Sequence, residues 1–185
     1  MLVSFILFGL FSIFTGVQEI KNIKGIKMND EKNGLYIVST PIGNLKDISE
    51  RAKHILSVAD CIFCENPIHS LKLLNNLGIK KKLIGIHDHN ENSIINEYNK
   101  KIKQGIYALI SDAGSPLISD PGYKLARHCI KNNTYVTVIP GATSIIAALQ
   151  LSSFPVNEFH FVGYCPKSKT LIKSLLMRLL ILIRL

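Results

Sequence analysis

From Leu35 onward the chain alternates short β-branched runs with stretches whose apolar residues recur at helical spacing, and Gly or Pro marks the junctions. This feature constrains the fold most. Strands joined through helices need crossover connections, which are right-handed and give a mainly parallel sheet with helices on both faces, an α/β class. Leu35–Ser39 is a continuous apolar run of buried-strand type. Asp47 followed by Glu50 resembles a capping box, and Ala52, Ile55, Leu56 and Ala59 form one helical face behind it. Further strands are expected at Cys61–Cys64, Lys82–His87, Tyr107–Asp112, Tyr135–Pro140 and, as a sixth, His160–Cys165. Helices are expected at His69–Leu77, Asn92–Lys103, Tyr123–Lys131 and Thr143–Leu151. The stretch Ser152–Val156 reads as a linker, so the domain that closes at 151 is followed at 152–170 by the opening of a second α/β domain.

Charge then separates the ends from the middle. The chain has 22 Lys+Arg and 13 Asp+Glu, a formal +9. Residues 1–27 carry three lysines against Glu19, and 171–185 carry three bases and no acid, so the ends supply +2 and +3 of that total. The remaining +4 is the charge relevant to an anionic partner. The ends are also the most apolar segments. Met1–Val17 lacks the basic start of a secretory signal and is short for a membrane span. The expected reading is a start at Met28, with a signal anchor as the alternative. Leu171–Leu185 can form a short basic amphipathic helix suited to a membrane surface, yet it reads rather as the tail of a truncated or frameshifted chain. No stable membrane association is expected. Four cysteines are too few for a disulfide scaffold and suit a reducing, cytoplasmic compartment.

Chemistry in an open parallel sheet sits beyond the carboxyl ends of the strands. Three such ends carry unusual loops: Thr40–Leu45, Ser111–Gly122 and Pro140–Ser144. They are rich in Gly, Pro and small residues, which permit close backbone approach and fix turns. Each taken alone is an ordinary turn. Three together point to a ligand cleft. Neither a dinucleotide nor a triphosphate glycine motif is present.

These residues carry a resemblance. Leu35–Leu45, His87-Asp-His-Asn-Glu91, Ser111–Pro116 with Asp120-Pro-Gly122, and Pro140-Gly141 are similar, in order, to the bacterial ribosomal RNA small subunit methyltransferase I family, within the tetrapyrrole-methylase superfamily. The resemblance covers about Leu35 to Lys169. It implies a tetrapyrrole-methylase-like domain at 35–151, with 1–34 and 171–185 outside the family pattern. It also implies S-adenosylmethionine as cofactor, the 2′-hydroxyl of a cytidine ribose in 16S ribosomal RNA of the small subunit as acceptor, and a homodimer at full length. Pro41, Gly43, Asp112, Ala113, Gly114, Ser115, Pro116, Pro140, Gly141, Ala142 and Thr143 are then the cofactor-cleft residues. The family's Glu-Asp-Thr-Arg-His stretch reads Glu65-Asn-Pro-Ile-His69 here, so the second acid and the arginine are lost. The family's second domain should also run well beyond Lys169. Glu65, Asp112 and Asp120, at strand ends, are candidates for the base that takes the hydroxyl proton. Alternatives are a precorrin- or uroporphyrinogen-type methylase, or an inactive truncated fragment of the RNA enzyme.

Three weaker signals remain. Cys61-x-x-Cys64 is half a zinc motif inside a strand, with no second pair. His87-x-His89 with Glu91 suggests a metal-dependent hydrolase, although strand-end histidines usually bond locally. No metal is expected. Lys80-Lys-Lys82 is either a solvated turn or a contact to RNA phosphate.

Overall fold

The computed structural model describes residues 31–183, with side chains to 178. The expectations for Met1–Val17 and Met28 lie outside them, as do those for the last two residues. From Lys32 onward the chain is one compact unit.

Five strands form a single parallel sheet: β1 (Gly34–Val38), β2 (Cys61–Cys64), β3 (Leu83–Gly85), β4 (Ile106–Ile110) and β5 (Tyr135–Ile139), in spatial order β3-β2-β4-β1-β5. Helices α1 (Glu50–Val58) and α2 (Pro67–Asn76) lie on one face, while α3 (Glu91–Ile102) and α4 (Tyr123–Lys131) lie on the other. Helices α5 (Ser144–Leu151) and α6 (Lys169–Ile183) follow the last strand. The expected α/β class holds.

Period-2 alternation divides the core in two. Tyr36, Val38, Ile62, Cys64, Ala108 and Ile110 pack on Ile55, Leu56, Leu73 and Leu74 of α1 and α2. Leu35, Ile37, Phe63, Tyr107 and Leu109 face Ile94, Tyr98, Ile102, Leu125 and Cys129 of α3 and α4. Both faces of β1, β2 and β4 are buried, which is why these strands read as unbroken apolar runs.

Two local expectations are corrected. The first α-helix is capped by Ser49, whose Oγ accepts from the Ala52 amide at 3.1 Å, and not by Asp47. Asn44 takes the Lys46 amide first and makes a 3-10 turn of Leu45–Asp47, so Asp47 is spent before the helix begins. The sixth strand, His160–Cys165, is irregular backbone. A strand needs a ladder partner, and none pairs with these residues among those described. Elsewhere boundaries moved by a residue or two. Helix α2 starts at Pro67 because Asn66 accepts from the Ile68 and His69 amides at 3.0 and 3.3 Å, and proline is well placed at a first helical position.

Candidate functional site

The strand order locates a crevice. From β1 the chain crosses over toward β2, whereas from β4 it crosses the opposite way toward β5. The carboxyl ends of neighbouring strands β1 and β4 therefore form the switch point where loops diverge and leave room for a ligand. The loops that follow them are Thr40–Leu45 and Ser111–Gly122, two of the three singled out from the sequence.

The loops are tied together. Thr40 and Gly114 exchange backbone hydrogen bonds at 2.9 and 3.1 Å, as an isolated antiparallel bridge. The Thr40 hydroxyl donates to the Ser111 carbonyl at 3.2 Å, and Ser39 Oγ lies 3.2 Å from Ser115 Oγ. Ser115 Oγ in turn donates to the Ala142 carbonyl at 3.4 Å, which brings in the loop after β5. Gly114 has φ 84°, a left-handed conformation that glycine adopts without strain. A Cβ on Gly141 would lie 2.9 Å from the Ser39 Cβ, so the third loop approaches β1 too closely for a side chain.

Two hollows flank this tie. One, of about 390 Å³, is lined by Pro41, Gly43, Asp112 and Ala113 together with His69 and Lys72 of α2. The other, of about 290 Å³, is lined by Ala113, Ser115, Asp120 and Thr143 together with Phe161 and Tyr164. Gly114, Gly141 and Ala142 line neither hollow; they lie in the tie itself, Gly114 and Ser115 against Ala142 and Gly141 against Ser39. Pro116 is buried, and Pro140 lies exposed at the rim of neither hollow. His69, Lys72 and Leu73 fall on one side of α2 at helical spacing, a signal available in the sequence once α2 is aimed at the crevice. The linings from Phe161, Gly163 and Tyr164 had no such signal.

The three candidate carboxylates converge. Burial raises the Glu65 carboxyl above its ordinary pKa, and the charges of Asp112 and Asp120 raise it further, while the Asp112 backbone amide pulls the other way. Burial likewise raises Asp120, opposed by a hydrogen bond from Ser111 and reinforced by Asp112. Asp112 Oδ1 is buried and has no hydrogen-bond partner among the described residues. An acceptor left open at a crevice is a place for a donor or a cation.

The Asp-His-Asn-Glu motif resolves into structure. Asn90 closes a turn, accepting from the His87 amide and donating to the Gly85 carbonyl, both at 2.9 Å. Glu91 is buried, and its carboxylate accepts from the amides of Gly122, Lys124 and Leu125 at 3.2, 2.8 and 3.1 Å. It caps α4, whose own N-cap, Gly122, has no side chain. A carboxylate spent on three amides is unavailable to a metal beside the exposed rings of His87 and His89. Cys61 and Cys64 belong to opposite core faces and cannot meet at one ion.

A family model described as Tetrapyrrole (Corrin/Porphyrin) Methylases matches residues 34–181. The chain is 47% identical over 144 residues to a protein of Pasteurella multocida named ribosomal RNA small subunit methyltransferase I, covering 77% of this chain and 51% of that one. Proteins of the same name from Rickettsia prowazekii and Thermotoga maritima are 49% and 41% identical, over 74% and 76% of this chain and 49% and 65% of theirs. The chain thus spans about half the length of most of these curated relatives. Among solved structures, uroporphyrin-III-C-methyltransferase from Thermus thermophilus has a similar fold, with TM-score 0.50 and 20% identity over 69% of this chain and 55% of that one.

Proposed function

The chain belongs to the tetrapyrrole methylase family, and from that premise we propose that it supplies one half of a methyltransferase acting on ribosomal RNA of the small subunit. The observation that carries this reading is the 41–49% identity to the ribosomal RNA small subunit methyltransferase I relatives, across the segment that builds the crevice. We assign S-adenosylmethionine to the crevice between the loops after β1 and β4, and the ribose 2′-hydroxyl of a 16S cytidine as acceptor. The full-length form works as a homodimer in the cytoplasm, where its RNA is found.

The donor set suits such a cofactor. It presents an amine, a ribose diol and a sulfonium, all of which are matched by acceptors and negative charge. Asp112, with its open Oδ1, and Asp120 provide them, while Gly43 and Ala113 leave space for close backbone approach. When bound, the cofactor supplies an electrophilic methyl group. The residues of the chain must then hold the acceptor oxygen in line and remove its proton. Burial, with neighbouring carboxylates adding to it, raises the proton affinities of Glu65 and Asp120, which supports them as candidates for that base.

Calorimetric titration of the chain with S-adenosylmethionine tests the binding claim. Saturable heat lost in Asp112→Asn supports it, and equal heat in that variant sinks the assignment. For the acceptor, small ribosomal subunits are methylated with labelled cofactor by a form carrying the complete second half. Label expected on ribose but found on bases alone would refute the ribose claim.

A further inference from the structure

An RNA substrate poses an electrostatic problem at this crevice, because Asp112 and Asp120 line its hollows and Glu65 lies close enough to feel both charges. The charges that attract phosphate lie elsewhere. Within 32–131, the end of the sheet where strands begin bears Lys32, Lys80, Lys81, Lys82, Lys100, Lys101, Lys103 and Lys131. Asp60 and Glu97 oppose those eight lysines there, and with Glu31, which directly precedes Lys32, the balance is +5. All other charges of 32–131, six basic and seven acidic side chains, sum to −1. The topology causes this concentration: the chain enters β3 from Lys80–Lys82, and α3 runs back antiparallel to the strands and ends at Lys100–Lys103.

Six of these lysines gather around one element. Lys82 Nζ donates to the Tyr98 hydroxyl at 3.2 Å, and Lys101 Nζ sits 4.3 Å from the centroid of the same ring. Tyr98 is itself buried, so it pins two ammonium groups over one point of the surface. Glu97 neutralises one of them, at 3.2 Å from Lys101. The negative end of the α3 dipole favours Lys100 and Lys101, but it does not account for Lys80–Lys82, which belong to another segment.

We propose that this lysine cluster, at the strand-entry end of β3 and the C-terminus of α3, is a docking surface for the phosphate backbone of an RNA helix flanking the nucleotide held in the crevice. Helix α3, with its 12 residues, separates surface and crevice by about 18 Å at 1.5 Å per residue. Backbone contact there positions the substrate and carries no sequence information. This rests on the reading of RNA as substrate.

The test is the salt dependence of binding to a generic RNA duplex, followed by fluorescence anisotropy with the full chain. Replacing Lys80, Lys81, Lys101 and Lys103 with Gln is expected to weaken binding at least about tenfold at low salt and to flatten the log–log salt slope by about 3. The matching Lys→Arg set should retain both, and a Gln set at Lys46, Arg51 and Lys124 near the crevice should change the slope less. Circular dichroism verifies that the variants fold, since all seven replaced side chains are exposed or nearly so. An unchanged slope in the first set, an equal loss in the crevice set, or wild-type binding to anionic vesicles but not to duplex RNA overturns the proposal. Cofactor titration is read separately, so a failed docking surface is distinguishable from a failed crevice.

Discussion

Glu65 and Asp120 illustrate what a single carboxyl gains and loses by its place. Both bind protons more readily in the folded chain than in the unfolded one, because burial and neighbouring carboxylates disfavour their charge. A raised carboxyl pKa means that folding is opposed once the group ionises. Its unfavourable contribution is absent below the ordinary carboxylate range and grows as pH rises through the raised value. Glu65→Gln and Asp120→Asn should therefore stabilise the fold at pH 7, by less than about 1 kcal/mol because both groups reach solvent and are screened. Urea melts should show that gain fading toward pH 4 and lower. A gain that persists unchanged in acid would contradict the charge argument. Cysteine gives a second residue-level expectation. Burial pushes the Cys61 and Cys129 thiols up to about 11 and raises Cys64, whereas Cys165 is exposed. The thiolate is the reactive form. At pH 8, brief alkylation read by mass spectrometry should mark Cys165 and spare the other three.

Among the elements, α4 depends most visibly on another. Its first-turn amides are satisfied by Glu91, the first residue of α3, so the two helices share a joint next to the Asp120-Pro-Gly122 end of the long loop. Glu91→Ala should cost about 2–3 kcal/mol, in the range of hydrogen bonds to a charged group plus a lost cap. Amide exchange should quicken first at Gly122, Lys124 and Leu125; unaltered exchange there would argue against the cap. This joint also marks the boundary of what was legible. Strands, helix order and the three loops were written in local periodicity and in Gly and Pro, because burial on both faces imposes unbroken apolar runs. The role of Glu91 was hidden, since its partners lie more than thirty positions away and are backbone groups without a residue signature. The strand at His160–Cys165 failed for the converse reason. Its aromatic and β-branched pattern was right, but pattern alone supplies no ladder partner.

At the scale of the molecule, charge and apolar surface are distributed to different ends. The positive surface lies where strands begin, and the crevice lies where they finish. A third region carries exposed apolar side chains: Ile146, Leu151, Phe154, Phe161 and Tyr164 all remain in contact with solvent, and α5 buries none of its residues. Surface of this kind favours association. Light scattering should accordingly show a mass that rises with concentration, and Leu151→Glu with Phe154→Glu should suppress that rise. No described helix is long and apolar enough to cross a membrane. The bridge between Thr40 and Gly114 has a kinetic consequence. Because the loops after β1 and β4 are already fastened to each other before anything arrives, capture needs no movement of one against the other. Observed association rates for a crevice ligand should climb linearly with its concentration, without a plateau, and cutting the tie would reveal itself first as a slow isomerisation preceding binding.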